Sequence, residues 1–223
     1  MKKGIILLSG GLDSAVTLYI AKDQGYETIC LTFNYQQKHK REIDSSKKLA
    51  DLTESKQYIL DVALETSGSS LMDEKQGLPE REISSIKTSE IPSTYVPARN
   101  IIFLSYALSY GEILDAESIF IGINQIDYSG YPDCGVEFIE SFKEVSHLGT
   151  KRGIEGNPIK IKAPLINKRK SEIIKIGSKL RVPFEYTWSC YKGQDKPCRL
   201  CDSCKLREKA FREAGLKDPL LEK

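Results

Sequence analysis

Gly4-Ile5-Ile6-Leu7-Leu8-Ser9-Gly10-Gly11-Leu12-Asp13-Ser14 is the stretch that decides how this chain folds. Gly4 to Leu8 is a short apolar run of strand character, and a Ser-Gly-Gly turn follows it directly. Ala15-Val16-Thr17-Leu18-Tyr19-Ile20-Ala21 then continues with a helical pattern. Glycine lets the backbone bend sharply and approach a ligand closely. The first N–H groups of a helix have no partner inside it and carry the positive end of its dipole, so this turn suits phosphate. Ser9 and Ser14 add hydroxyl donors, and Asp13 can hold a magnesium ion. The turn is not a Walker loop, because no lysine stands at the helix start. An ordinary Asp-Ser helix cap is the plainer alternative. The complete run Ser9-Gly10-Gly11-Leu12-Asp13-Ser14 between a strand and a helix favours the nucleotide.

Outward from this turn the chain alternates. Glu27 to Phe33 is a strand of β-branched and apolar residues. Lys38 to Ser55 reads as a helix with Ile43, Leu49, Ala50 and Leu52 inward, and Gln57 to Asp61 as a third strand. Residues 62–95 break the pattern, with much Ser, Glu, Lys and Gly and no sustained period. A stretch of that length is expected to be a lid or dimer contact with partial disorder, or a plain surface excursion. Order resumes with a helix from Asn100 to Leu114, carrying Ile101, Leu104, Tyr106, Ala107 and Leu108 at helical spacing. Ser118 to Gly122 is a fourth strand, Val136 to His147 an amphipathic helix, Ile159 to Pro164 a fifth strand and Lys170 to Leu180 a further helix. Strands alternating with helices imply an α/β fold, a doubly wound parallel sheet with right-handed crossovers and ligands at the C-terminal strand ends. We divide the chain into a nucleotide-binding α/β domain, 1–183, and a small zinc-binding segment packed on it, 184–223.

Charged residues make up 29% and hydrophobic residues 40% of 223 residues, an ordinary balance for one soluble domain with an appendage. No apolar run has the length of a membrane helix, and the first one is too short for a signal peptide, so no membrane partner is expected and the cytoplasm is the default. The net charge of +2 makes no electrostatic case for nucleic acid. Lys38, Lys40, Arg41, Lys47 and Lys48 are interleaved with Glu42 and Asp44, as on a solvated helix face.

Cys190, Cys198, Cys201 and Cys204 crowd together near the C-terminus, which in a cytoplasmic chain indicates metal rather than disulfides. Four thiolates suit a closed, structural tetrahedral zinc site, and Lys192, Lys196, Arg199, Lys205 and Arg207 offset its charge. The spacing departs from the ferredoxin run, so zinc is favoured over an iron–sulfur cluster. A helix from Lys205 to Ala214 stops at Gly215. Cys30 reads as a core thiol and Cys134 as a loop thiol. His39 and His147 have no catalytic partner beside them and read as surface residues.

The Ser-Gly-Gly-Leu-Asp-Ser turn after a first strand resembles the pyrophosphate loop of the ATP pyrophosphatase superfamily, enzymes that split ATP between the α and β phosphates and pass AMP to an acceptor oxygen. Three more segments narrow the resemblance: Leu31-Thr32-Phe33-Asn34-Tyr35-Gln36-Gln37-Lys38-His39-Lys40-Arg41-Glu42, Tyr95-Val96-Pro97-Ala98-Arg99-Asn100, and Gly122-Ile123-Asn124-Gln125-Ile126-Asp127-Tyr128-Ser129-Gly130-Tyr131-Pro132-Asp133-Cys134. With the cysteine tail in this order, the chain resembles the QueC family of queuosine biosynthesis, the 7-cyano-7-deazaguanine synthases, from about Ile5 to Cys204. One departure is Gly135, where the family pattern has arginine.

The resemblance implies an adenine nucleotide alpha hydrolase-like, Rossmann-like fold and a ligase that forms a carbon–nitrogen bond. Its substrates would be 7-carboxy-7-deazaguanine, ammonium and ATP, with adenylated acid and amide intermediates, one structural zinc per chain, magnesium and a homodimer. ATP would lie against Leu8, Ser9, Gly10, Gly11, Leu12, Asp13, Ser14, Ala15, Val16, Thr17 and Leu18. Asp13, Ser14 and Arg99 are the catalytic candidates. The deazapurine acid is assigned to Arg99, Asn100, Asp127, Tyr128, Tyr131 and Asp133. Arg99, behind a proline-stiffened turn, can clamp a phosphate or carboxylate through two hydrogen bonds. A carboxylate can accept the N–H edge of a guanine-like ring, and a tyrosine can stack on it. Two other readings are a tRNA-modifying ATP pyrophosphatase, a thiolase or lysidine-type ligase, and a zinc-stapled module that senses nucleotide without turnover.

Overall fold

Alternation along three strands determines where everything else packs. In β1 (Lys2–Leu7), Ile5 and Leu7 point to one face of the sheet, and Ile6, with Leu8 just beyond, to the other. In β2 (Tyr26–Asn34), Ile29, Leu31 and Phe33 share the first face, while Tyr26 and Cys30 share the second. In β4 (Ser118–Ile121), Ile119 and Ile121 oppose Phe120 in the same way. Both faces are covered, which is why these strands read as unbroken apolar runs. With β3 (Lys56–Asp61) and β5 (Lys160–Lys162), they form one parallel sheet in the order β3-β2-β1-β4-β5. The computed structural model describes residues 1–35, 37, 40–64, 68–73, 77–82, 90–126 and 130–222.

Helices α1 (Leu12–Asp23), α2 (Arg41–Leu52), α6 (Lys170–Lys179) and α7 (Asp202–Ala214) supply one core, around Val16, Leu49, Ile173 and Phe211. Helices α3 (Arg99–Ile113) and α4 (Val136–Leu148) supply the other, around Leu104, Ala107, Ile139 and Phe142. Each fully buried aliphatic side chain contributes roughly 1.5–3 kcal/mol. The doubly wound expectation therefore holds. A four-residue helix, α5 (Lys151–Ile154), was not foreseen; Thr150 caps it by accepting from Gly153 N.

Three side chains expected inward are not buried. Leu52 is 46% exposed, Ile101 44% and Tyr106 40%. Leu52 closes the last turn of α2, just before the chain turns left-handed at Glu54. In α3 the buried stripe runs through Leu104, Ala107, Leu108 and Gly111, and Ile101 and Tyr106 fall beside it.

The described parts of 62–95 contain no helix or strand. They pack nonetheless. Val62 and Met72 enter the α3–α4 core, and Ser70 N donates to Ser93 O at 2.8 Å. Farther along, Arg81 forms a 2.8 Å ion pair with Asp202, and Asp202 N donates to Pro79 O.

The C-terminal segment shares the main core. Ala210 and Phe211 lie in it, and Phe211 meets Phe184 edge-on at 5.3 Å. Helix α7 ends at Gly215 in the left-handed region (φ 74°), as its sequence suggested. One buried ion pair fastens the segment. Arg207 grips Asp218 with Nε–Oδ2 at 2.6 Å and Nη2–Oδ1 at 2.9 Å, and also donates to Thr187 Oγ1 and Phe184 O. Both side chains are 4% exposed or less. Asp218→Ala would leave a buried, uncompensated guanidinium and should lower the unfolding free energy by about 3–5 kcal/mol, measured by urea denaturation.

Candidate active site

The loop from Leu8 to Leu12 leaves the central strand, where the chain winds one way to β2 and β3 and the other way to β4 and β5. A crevice opens at such a reversal beyond the strand ends. Here it is a cavity of about 250 Å³, walled by the loops after β1, β2 and β4, the starts of α1, α2, α3 and α6, and the C-terminal segment.

The N-cap of α1 is Gly11, and among the described residues no side chain caps it. The Asp-Ser cap offered as the plainer alternative is not formed. Ser14 Oγ donates to Gly11 O at 2.9 Å, Gly11 N donates to Ser9 Oγ at 3.2 Å, and the two hydroxyls lie 3.1 Å apart. These bonds shape the turn without covering the helix end. Gly10 takes φ 87°, and a methyl there would come 2.0 Å from Glu42 O on α2. From the opposite side, Trp188 N donates to Gly10 O at 2.9 Å.

Asp13 stands at the edge of this turn. Its Oδ2 accepts from Lys170 Nζ at 2.5 Å and from Asn124 Nδ2 at 3.5 Å. Its Oδ1 is buried and has no hydrogen-bond partner among the described residues. An orphaned buried carboxylate oxygen beside a phosphate-type turn fits a hard cation. The lysine missing from the helix start is supplied by α6, at the far end of the sequence.

Arg99 begins α3 behind Ala98, which takes the left-handed φ of 55° usual for glycine. That backbone costs roughly 1–2 kcal/mol for a residue with a Cβ, and it fixes the direction in which Arg99 leaves the turn. Arg99 Nη1 donates to Tyr35 Oη at 3.2 Å. Burial opposes its charge, but Tyr35 and Tyr131 beside it outweigh that effect and hold its pKa above the ordinary arginine value. Phe33 and Phe103 stack at 3.9 Å, with Tyr35 tilted against Phe103, forming an aromatic wall. Tyr131 also lines the cavity, its hydroxyl 2.5 Å from Thr94 Oγ1. Burial raises its pKa.

Asp133 departs from its expected place. It is 4% exposed, its Oδ2 accepts from Asn100 N at 3.0 Å, and its backbone oxygen accepts from Asn100 Nδ2 at 2.9 Å. The carboxylate caps the start of α3 and is not part of the cavity wall. Asn100 reaches the wall, but its amide is turned to Asp133 and Cys134. Asp127 and Tyr128 lie outside the described residues, as does His39. Burial pushes the Cys134 thiol up to about 12, with Asp133 adding to it, and Cys30 likewise to about 12. Neither is a nucleophile at neutral pH.

Glu42, Tyr35, Lys170, Trp188, Ser203 and Arg207 belong to the wall without having been singled out for it. Tyr35 and Glu42 stand in the stretch from Leu31 to Glu42 that carries the family resemblance, while Lys170, Trp188, Ser203 and Arg207 reach the wall from distant segments. The four cysteines do come together. Their sulfurs all lie within 4.8 Å of one another, and Cys190, Cys201 and Cys204 are buried. Hydrogen bonds from Cys201 and Cys204 hold the Cys190 thiol well below its usual value. Trp188 Nε1 donates to Cys190 O at 2.8 Å, joining the cluster to the residue that holds Gly10.

The family model for the queuosine biosynthesis protein QueC matches residues 3–215. A 7-cyano-7-deazaguanine synthase from Trichodesmium erythraeum is 52% identical over 98% of this chain and all of its own. One from Clostridium kluyveri is 50% identical over 99% of this chain and 97% of its own. Among solved structures, an NMN synthetase from Francisella tularensis aligns with a TM-score of 0.51 at 16% identity, over 97% of this chain and 78% of that one. A 4-thiouridine synthetase with RNA and bound ATP gives 0.53 at 18% identity, over 99% of this chain and 52% of that one. At these identities the two structures share the fold alone.

Gly10→Ala adds a clash to an unfavourable backbone. It should cost more than the roughly 1–2 kcal/mol of the left-handed conformation alone and weaken nucleotide binding, read as a lower melting temperature and a smaller rise on adding ATP. The match along the chain and the agreement of loop, cysteines and sheet order lead to one conclusion: the chain belongs to the QueC family of queuosine biosynthesis proteins.

Proposed function

We propose that this chain converts 7-carboxy-7-deazaguanine and ammonia to 7-cyano-7-deazaguanine, cleaving ATP to AMP and pyrophosphate. The observation that carries the reading is the uncapped start of α1 beside the orphaned Asp13 Oδ1, opening into one cavity with Arg99 and an aromatic wall. The names of the half-identical relatives support the substrate.

Adenylation needs the α-phosphate held in line with an attacking carboxylate and charge relief on the departing pyrophosphate. The N–H groups at the start of α1, with Ser9, Gly10, Gly11 and Ser14, bind the phosphates. Lys170 fixes Asp13 and adds a cation beside it. Arg99 draws the substrate carboxylate toward the α-phosphate, and Phe33, Tyr35, Phe103 and Tyr131 give flat rings a stacking surface. Asp13 Oδ1 would hold magnesium, which supplies charge neutralisation on pyrophosphate when bound. Cys190, Cys198, Cys201 and Cys204 suit one structural zinc, which would stiffen the Trp188 side of the loop. Asp127 and Tyr128 stay candidates for the base, and Asp133 acts through the helix it caps. Free thiols throughout the described chain fit a cytoplasmic enzyme. Exposed Ile113, Leu148 and Ile154 give a second copy an apolar surface for a homodimer.

Turnover with the deazaguanine acid and ammonium should release AMP and pyrophosphate; ADP and phosphate would exclude the assignment. Asp13→Asn should slow turnover by on the order of a hundredfold with the melting temperature kept. Metal analysis should find one zinc per chain, lost in Cys201→Ser. Iron with visible absorbance would make the centre an iron–sulfur cluster instead.

A further inference from the structure

Two carboxylates line the cavity among the described residues, and adenylation as proposed engages only Asp13. The other is Glu42, in the first turn of α2. Its position is set by the pyrophosphate loop itself, because Gly10 rests on the Glu42 backbone with no room for a side chain. Glu42 therefore stands beside the phosphate turn, near enough to Arg99 and Tyr35 for its charge to act on both. Its carboxylate makes no hydrogen bond or ion pair among the described residues. A structural carboxylate in such a place would be capped or paired, as Asp133 and Asp218 are. Burial raises the Glu42 carboxyl to about 7, with Arg99 pulling it partly back. A group of that strength can take and release a proton at neutral pH.

We infer that Glu42 is the proton acceptor for the two steps in which nitrogen chemistry follows adenylation, an assignment that rests on the synthase reading. In the first step ammonia forms a bond to the acyl carbon. The bond from that carbon to the AMP oxygen breaks, AMP leaves with the electron pair, and one N–H proton of the adduct passes to Glu42. In the second step the amide oxygen bonds to the α-phosphorus of a second ATP and pyrophosphate leaves. The nitrogen then gives up its two protons, the carbon–oxygen bond breaks toward AMP, and the nitrile forms. Glu42 takes one proton at a time and returns each to water. Adenylation itself moves no proton to the protein, so the two halves of the reaction separate in a variant.

Glu42→Gln is the test. Exchange of labelled pyrophosphate into ATP, driven by the deazaguanine acid without ammonium, should stay within about threefold of wild type, while amide and nitrile formation fall on the order of a hundredfold. Equal losses of exchange and amide formation would make Glu42 a binding residue for the base or the nucleotide. Unchanged amide formation would remove it from the chemistry. Either result overturns the assignment. If the glutamine variant does not fold, Glu42→Asp carries the same comparison: a slower amide step with exchange retained supports the assignment, and parallel or absent losses overturn it. Wild-type protein that makes no nitrile defeats the synthase reading. A working wild type whose variants show no selective loss defeats only the role of Glu42.

Discussion

Gly10 is gripped from two sides. Its Cα faces the Glu42 carbonyl so closely that no Cβ fits, and its own carbonyl accepts the Trp188 N–H. The phosphate turn is thereby fixed to α2 in front and to the C-terminal segment behind. A turn that must present backbone N–H groups to an anion gains from such fixing, since its donors need no reorganisation when charge develops. The same grip places Glu42 and Trp188 at the cavity wall. Both contacts are made by backbone atoms, so a side-chain change at Glu42 or Trp188 alters the wall and leaves the grip on the turn in place.

The C-terminal segment thus has two attachments of different kinds. Its helix shares apolar core with α1 and α6, which is broad and tolerant. Arg207 and Asp218 add a narrow, fully desolvated ion pair, which is specific but costly to break. Between them sits the cysteine cluster, tied through Cys190 O to Trp188. A metal there would act at a distance: it would stiffen the strip of chain whose backbone holds Gly10, and touch no substrate.

The fold was legible because parallel strands buried on both faces leave continuous apolar runs, and because the phosphate turn marks which strand is central. Helix faces were less legible. Ile101, Tyr106 and Leu52 are apolar, yet a helix on the sheet buries only one stripe, and periodicity does not say how wide that stripe is. The cysteines were legible as a set because their ligand function lies in local spacing. Lys170 and Trp188 were not, because their place at the site arises from contacts between distant segments, and Glu42 stood in a family-like stretch with no local sign of its role. Asp133 shows the converse. An acidic residue in a loop beyond a strand looks like a ligand group, but a nearby helix start with open N–H groups claims it.

Charge explains why the lysine comes from α6 and not from the turn. Three cations, Arg99, Lys170 and Arg207, and two carboxylates, Asp13 and Glu42, line the cavity among the described residues. Lys170 is paired with Asp13 and Arg207 with Asp218, whereas Arg99 makes no ion pair among the described residues, though it is near enough to Glu42 to hold that carboxyl's pKa down in part. Its one hydrogen-bond partner there is the neutral Tyr35 hydroxyl. The cavity wall at Arg99 therefore keeps a positive charge, while the turn draws on the α1 dipole and on Lys170 held by Asp13. A lysine inside the turn would put its charge on the terminal phosphates, as in a γ-phosphate site. Held on α6 and bonded to Asp13, it stays at the carboxylate where a metal would sit, and leaves the space toward Arg99 for the acceptor. In the proposed adenylation the turn would take the phosphates and Arg99 the substrate carboxylate, which brings into one crevice the two groups that an attack by carboxylate on phosphorus requires.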